Sequence, residues 1–348
     1  MNKRWVALLL VAVMLVSLSA CMKKENNKAD VSINANSLMQ YSSTESSLGS
    51  ILLPGPSFTP NFSHSTTTVT DPFLLVNYHK ALKVEEYYQF KQLSSAGKEL
   101  YRRIDIAVNA YKREVDVTGF DLTEEEKTEI MKCYLADNPH RFFLSSNFTF
   151  GRNGNICLKY SDGTNTSDSG FQAPQEGTMN SRRETFNNAV KNIIVTINHK
   201  ASDYEKELAI YDYLIKNTSL DEEALKNPVV YGTTDPAYDA YGVIVEKKGV
   251  SQGYAKAFQY LCYMVGINAN IVIGYDCMWN TVEIEGEWYQ ADAFLDDPTD
   301  SQGNSANLGH DFFNLTSDKM YKVHRKHTSE IYDYLRIPSC TSTEHAYK

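Results

Sequence analysis

The chain has 348 residues, 42% of them hydrophobic and 12% aromatic, enough to bury one large core or two modest ones and too many for a disordered polypeptide. Its net charge is −9, and no stripe of lysine and arginine stands out. That balance argues against a nucleic-acid partner and leaves proteins, peptides or glycans.

The first residues carry a signal. Lys3 and Arg4 precede an apolar run from Trp5 to Val16, followed by Leu18, Ser19, Ala20 and Cys21. The run is too short to span a bilayer comfortably as a permanent helix, so residues 1–21 read as an export signal. Small residues directly before Cys21 resemble a bacterial lipobox, which implies diacylation of Cys21 after cleavage. The expected location is therefore outside the cytoplasm, with the chain tethered to the bacterial cell membrane by acyl chains, each buried methylene contributing about 0.8 kcal/mol. Residues 22–72 are polar and rich in Ser, Thr and Asn without sustained periodicity, as expected of a spacer; a short apolar segment, Ile51 to Pro54, interrupts it.

Five cysteines remain, Cys133, Cys157, Cys262, Cys277 and Cys340. The number is odd and no C-x-x-C spacing occurs, so neither a zinc ribbon nor a complete disulfide set is indicated; the default is buried thiols, Cys262 in the core among them. No metal and no cofactor is expected.

From about Pro72 to Asn138 the pattern is helical, with Leu93, Leu100, Ile104 and Ala107 on one face. A second helix starts at Thr123, whose capping box closes with Glu126, and runs toward Tyr134 before Asn138 and Pro139 end it. The stretch FFLSSNFTFGRNGNICLKYSD alternates and turns at Gly154, a hairpin. Residues 161–181 form a Gly, Ser, Thr and Asn-rich boundary, so residues 73–180 make one region and 181–348 a second. Helices follow to about Ile197 and from Ser202, the latter with Tyr204, Leu208, Tyr211 and Ile215 on one face and an end at Asn217. Tyr204, Tyr211 and Tyr213 read as helix contacts. After a mixed loop through Pro228 and Pro236, a helix opens at Ser251, with Ala255, Phe258, Leu261, Cys262 and Val265 on one face and Gly266 as its stop. ANIVIGYD, WNTVEI and EWYQAD then read as three strands, the last two joined by a tight turn at Glu285 and Gly286. The fold class is α+β.

A side chain at a helix N-terminus feels the positive end of the dipole, which favours a thiolate there. A neighbouring strand can supply an imidazole and the next strand a carboxylate. The segments YDYLIKNTSLD, AYGVIVEKKGVSQGYAKAFQYLCYMVGI and MWNTVEIEGEWYQADAFLDDP resemble the core of bacterial transglutaminase-like domains over roughly residues 180–340. That resemblance implies a papain-like core with a cysteine, histidine and aspartate triad. Matched residue by residue, the cysteine falls on Ser251, the histidine on Cys277 and the aspartate on Asp292. Phe294 and Leu295 stand where the family commonly has threonine and tryptophan, while Asp296, Asp297 and Pro298 persist.

With two triad identities replaced, a thiol is a poor base for Ser251, and Cys277 in turn fails as a nucleophile because Asp292 opposes a negative sulfur and no imidazole is placed to help. Between His199 and His310 there is no histidine, so a base for Ser251 would have to come from outside the motif; His310 is the nearest downstream candidate, and it reads first as a loop or core histidine beside Phe312 and Phe313. Tyr254, Trp279 and Trp288 are candidates to line a peptide or sugar groove, set against the ordinary packing role of aromatics beside small turns. The sequence therefore reads as a tethered binding or scaffolding module whose transglutaminase-like domain has lost thiol catalysis, with peptide, cell-wall or protein ligands; the alternative is an envelope peptidase or acyltransferase acting through Ser251.

Overall fold

The computed structural model describes residues 81–160, 176–197, 202–226, 235–274, 277–297, 309–324 and 334–348. Cys21, the apolar run before it, the spacer 22–72 and most of the 161–181 boundary lie outside the described residues.

The N-terminal region opens with α1 (Tyr88–Gln92) and α2 (Ser95–Asn109). The helical face expected through Leu93 is broken there, because Leu93 turns extended (ψ 150°) and Ser94 starts a new helix as N-cap, accepting from Gly97 N. Leu93 is buried nonetheless, as are Leu100, Ile104 and Ala107 on α2. A two-residue strand, β1 (Glu114–Val115), was not evident from the sequence, since two residues show no periodicity. Next comes α3 (Glu124–Asp137), whose cap is reciprocal: Thr123 Oγ1 accepts from Glu126 N at 3.2 Å, and Glu126 Oε2 accepts from Thr123 N at 2.8 Å. It runs past Tyr134 to Asp137, whose carboxyl accepts from the amides of Gln89 (3.2 Å) and Phe90 (2.8 Å) and so ties α3 to α1. The hairpin forms as β2 (Leu144–Phe150) and β3 (Ile156–Tyr160), turning through Gly154, and β1 adds to β3 in an antiparallel sheet of order β1-β3-β2.

In the second region α4 (Glu176–Ile194) and α5 (Asp203–Asn217) precede a short parallel pair, β4 (Ser219–Leu220) with β5 (Lys248–Gly249). Between those strands lie α6 (Glu222–Lys226) and a π-helical turn, Gly242–Glu246. The central helix is α7 (Ser251–Met264). The sequence suggests one apolar face, but 11 of its 14 residues are buried, because α4, α5 and the sheet cover it from several sides. That sheet is an antiparallel meander, β6 (Ala269–Ile273), β7 (Met278–Ile284) and β8 (Glu287–Ala291), in the order β6-β7-β8. The β7–β8 link uses positive φ at both Glu285 (53°) and Gly286 (87°), which matches the right-handed twist of the strands it joins. Last of the regular elements is α8 (Ser317–Val323), capped by Thr316. One continuous hydrophobic cluster reaches from Tyr87 to Phe313, so both regions contribute to the same core.

Candidate active site

The site is assembled where the start of α7, the start of β7, the end of β8 and the end of α8 converge. Ser251 is the first residue of α7, and its Oγ accepts a long bond, 3.4 Å, from Met278 N. This contact puts the helix start beside Cys277, the residue that leads into β7. Asn280 secures the same juxtaposition deeper down by donating from Nδ2 to Ala255 O at 2.9 Å.

Asp292 follows β8 directly and is 2% exposed. Its Oδ1 accepts from the amides of Phe294 (3.0 Å) and Leu295 (3.2 Å), which fixes the carboxyl plane and leaves Oδ2 directed at one partner. That partner is His324: Nε2 lies 2.7 Å from Asp292 Oδ2, and Nδ1 of the same ring lies 3.0 Å from Cys277 Sγ. The imidazole thus bridges the thiol and the carboxyl. With Asp292 accepting at Nε2–H, Nδ1 is left as the acceptor for the thiol proton, a tautomer that follows from the network.

His324 was not found in the sequence, where Cys277 was left without a base. It arrives from outside the helix-and-meander unit, as the residue that ends α8, with its N–H bonded to Met320 O at 2.9 Å. Two signals point to it in retrospect: Thr316 reads as an N-cap, and the spacing from Met320 to His324 places both on one helical face. Met320 is fully buried in a small cluster with Val272 and Trp279, and His324 follows it onto that cluster.

Trp279 closes the other side. Its ring stacks on His324 with centroids 4.4 Å apart and planes 12° from parallel. Room for the indole depends on Gly274, where an added Cβ would lie 2.4 Å from Trp279 Cζ3. Tyr254 and Trp279 are each 1% exposed, and the Tyr254 hydroxyl donates to Asp297. Trp288 is half-buried and meets Tyr88 edge-on at 5.0 Å, joining the sheet to the N-terminal region.

His310 is engaged elsewhere: its Nε2 lies 2.7 Å from Asp212 Oδ1 on α5, and its ring stacks on Tyr347 at 3.9 Å. Asp296 and Asp297 are structural ties. Asp296 accepts from the Tyr211 hydroxyl and from the amides of Asp311 (3.0 Å) and Phe312 (2.8 Å), which anchors the approach to α8.

The remaining described cysteines are unlike Cys277. Burial pushes the thiols of Cys133, Cys157 and Cys262 up, and that of Cys340 up to about 12. Cys277 is half-buried and in contact with an imidazole. Among the described residues no group of three or more His, Cys, Asp or Glu side chains could hold a metal ion.

A sequence model of the transglutaminase-like superfamily matches residues 191–293. These residues form a transglutaminase-like domain. The match holds α7, the meander, Ser251, Cys277 and Asp292, and it stops before His324. A solved structure described as "Crystal structure of a TGase" is similar over 56% of this chain and 52% of its own length, at 15% identity and a TM-score of 0.30. The chain therefore spans about half the length of that structure. No curated protein matches the chain. The helix-then-meander order of the transglutaminase-like domain is the α+β arrangement read from the sequence.

Proposed function

We propose that this protein is a cysteine-dependent acyl-transfer enzyme or peptidase built on the transglutaminase-like domain, with Cys277 as nucleophile, His324 as general base and acid, and Asp292 orienting the imidazole. The observation that carries this reading is the single ring of His324 in contact with Cys277 Sγ at 3.0 Å and Asp292 Oδ2 at 2.7 Å. Relative to the family's pattern the nucleophile has moved from the α7 start to the strand position, and the base enters from α8. The order carboxyl, imidazole, sulfur removes the objection that Asp292 opposes a thiolate, because the protonated ring lies between the two negative groups.

The chemistry follows from the contacts. The Cys277 thiol passes its proton to His324 Nδ1 while sulfur attacks the carbonyl carbon of an amide, and the carbonyl electron pair moves onto oxygen. Collapse of that adduct breaks the C–N bond, and the amine leaves with the proton held on Nδ1. The thioester is then opened by a second amine or by water, whose proton goes to Nδ1 and returns to sulfur as the thiol is released. Backbone amides at the start of α7 lack intrahelical partners and favour negative charge beside Cys277. On this reading Cys21 is the diacylated residue, the chain is tethered to the bacterial cell membrane facing away from the cytoplasm, and its substrates are peptides or proteins of the envelope.

The test is incorporation of a fluorescent primary amine into dimethylcasein, together with hydrolysis of a mixed peptide library. Activity that disappears in Cys277→Ala and in His324→Ala supports the proposal; activity that persists in both sinks it. A second reading, a binding or scaffolding module, is favoured by Ser251 at the family's nucleophile position, and it gains if the native protein is inert. Tethering is checked separately by fatty-acid labelling that is lost in Cys21→Ala.

A further inference from the structure

We propose that Gln290 is the positioning residue for His324, holding both the ring that stacks on the imidazole and the helix that delivers it. The proposal rests on the reading of Cys277, His324 and Asp292 as reacting groups.

Gln290 is fully buried on β8, two residues before Asp292, so its side chain leaves the strand on the same side. Its Oε1 accepts from Trp279 Nε1 at 2.6 Å, which fixes the indole that lies against His324. Its Nε2 donates to Ser317 Oγ at 3.1 Å, and Ser317 is the first residue of α8. The main chain acts in the same direction: Gln290 N donates to Leu315 O and Leu315 N to Gln290 O, both at 2.8 Å, tying β8 to the segment just ahead of α8. One residue therefore sets where α8 begins, and what its final imidazole packs on.

That arrangement matters because α8 has only seven residues, and an isolated helix of that length has little stability of its own in water. Without an outside anchor, His324 would sample rotamers in which Nδ1 leaves Cys277 or Nε2 leaves Asp292. Asp292 and Cys277 are the titratable groups bonded to the ring, and neither controls the helix that carries it. Gln290 does, through Ser317, and it controls the face of the ring through Trp279. A side chain of similar size lacking the amide would leave a buried indole N–H without its acceptor, and the start of α8 without its donor.

The experiment is alkylation of Cys277 by iodoacetamide in the full-length protein from pH 5 to 9, read by mass of the Cys277 peptide, which needs no substrate. In the native protein, reaction is expected to remain fast at pH 6; His324→Ala should revert to an ordinary thiol profile rising toward about pH 8.5. Gln290→Leu should lose at least tenfold in rate at pH 6 and move toward the His324→Ala profile, while Gln290→Glu, which keeps an acceptor for the indole, should recover most of the loss. Should Gln290→Leu fail to fold, Trp279→Phe keeps a ring over His324 without the bond to Gln290, and it should show the same partial shift. A native profile in Gln290→Leu, or in Trp279→Phe where Leu is not tolerated, overturns the positioning role while a shifted His324→Ala profile leaves the triad standing. If the native protein and His324→Ala share one profile, the triad reading fails first and the positioning role with it.

Discussion

Two of the histidine and carboxylate pairs among the described residues, His324 with Asp292 and His310 with Asp212, differ in a way that says what makes a site. In both, imidazole Nε2 lies 2.7 Å from an aspartate oxygen. His324 and Asp292 are nearly enclosed, with side chains 6% and 2% exposed, and the second ring nitrogen meets a thiol. His310 and Asp212 lie nearer the surface, the aspartate 29% exposed and also 3.5 Å from Lys216, and the imidazole is stacked on Tyr347. Both pairs hold an imidazole against an aspartate, and of the two only His324 is placed against a thiol. The second pair ties α5 to the segment leading into α8; the first sits at the end of that segment.

The largest effect that sharpens this contrast is kinetic. Cys277→Ala and His324→Ala should each remove catalysis by roughly 10³-fold or more, and the double variant should be little worse than either, because groups acting as a unit are not additive. His310→Ala should leave the rate within about twofold and instead lower the melting temperature through the lost tie to Asp212. Equal losses from both histidines would erase the distinction.

The frame was far more legible in the sequence than the base. Thr123 with Glu126, Ser202 before α5, the Glu285 and Gly286 turn and the alternation of WNTVEI and EWYQAD are local signals, and each element formed within a few residues of its expected bounds. Asp292 could be located because the resemblance to transglutaminase-like domains puts the aspartate soon after Trp288 and Tyr289. His324 could not, because it is joined to Asp292 through a stretch without strand or helix periodicity and is positioned by tertiary contacts to Gln290, Trp279 and Asp292 rather than by spacing. Leu93 and β1 were obscured for the opposite reason: apolar spacing continued through a break that only Ser94 capping reveals, and a two-residue strand has no pattern to read.

On the α5 side, stability should also depend on pH through a buried acid. Glu207, on the same helix as Asp212, is fully buried, accepts from Asn314 Nδ2 at 2.9 Å, and is pushed up to about 8 by burial. Because the folded state holds this proton more tightly than the unfolded chain, its contribution is complete below the unfolded value near 4.5 and is lost as pH rises to about 8. Within that window stability should fall by up to about 1.4 kcal/mol per pH unit from this group. Glu207→Gln should flatten the slope in urea titrations at pH 5 and pH 8. An unchanged slope would mean that Glu207 ionises in the fold as it does in the unfolded chain, so that burial does not hold its proton.

A smaller steric effect belongs to the Cys277 side alone. In Gly274→Ala the added carbon meets Trp279 at 2.4 Å, so the indole must shift off His324. The expected cost is about 1–3 kcal/mol of stability, as for other overpacked sites, with slowed alkylation of Cys277. Retained alkylation beside lowered stability would show that the stack holds the fold without setting the imidazole.

The smallest effects compare the caps of the two helices that carry the pairs. Ser202 opens α5 with a reciprocal cap, accepting from Glu205 N at 3.2 Å while Glu205 Oε2 accepts from Ser202 N at 2.8 Å. Thr316 opens α8 with one bond, from Lys319 N at 3.3 Å. Ser202→Ala and Thr316→Ala should each cost about 1 kcal/mol, the former somewhat more because Glu205 also loses its place. Their consequences should separate. The loosened α5 has 15 residues and a wide buried face to hold it, so the loss spreads over the whole fold. In α8 the seven residues end on His324, so Thr316→Ala should lower amide-exchange protection near His324 and slow Cys277 alkylation, with Ser202→Ala leaving both unchanged. If both caps act alike on exchange at His324, α8 is held by its packing, and the imidazole owes nothing to how its helix begins.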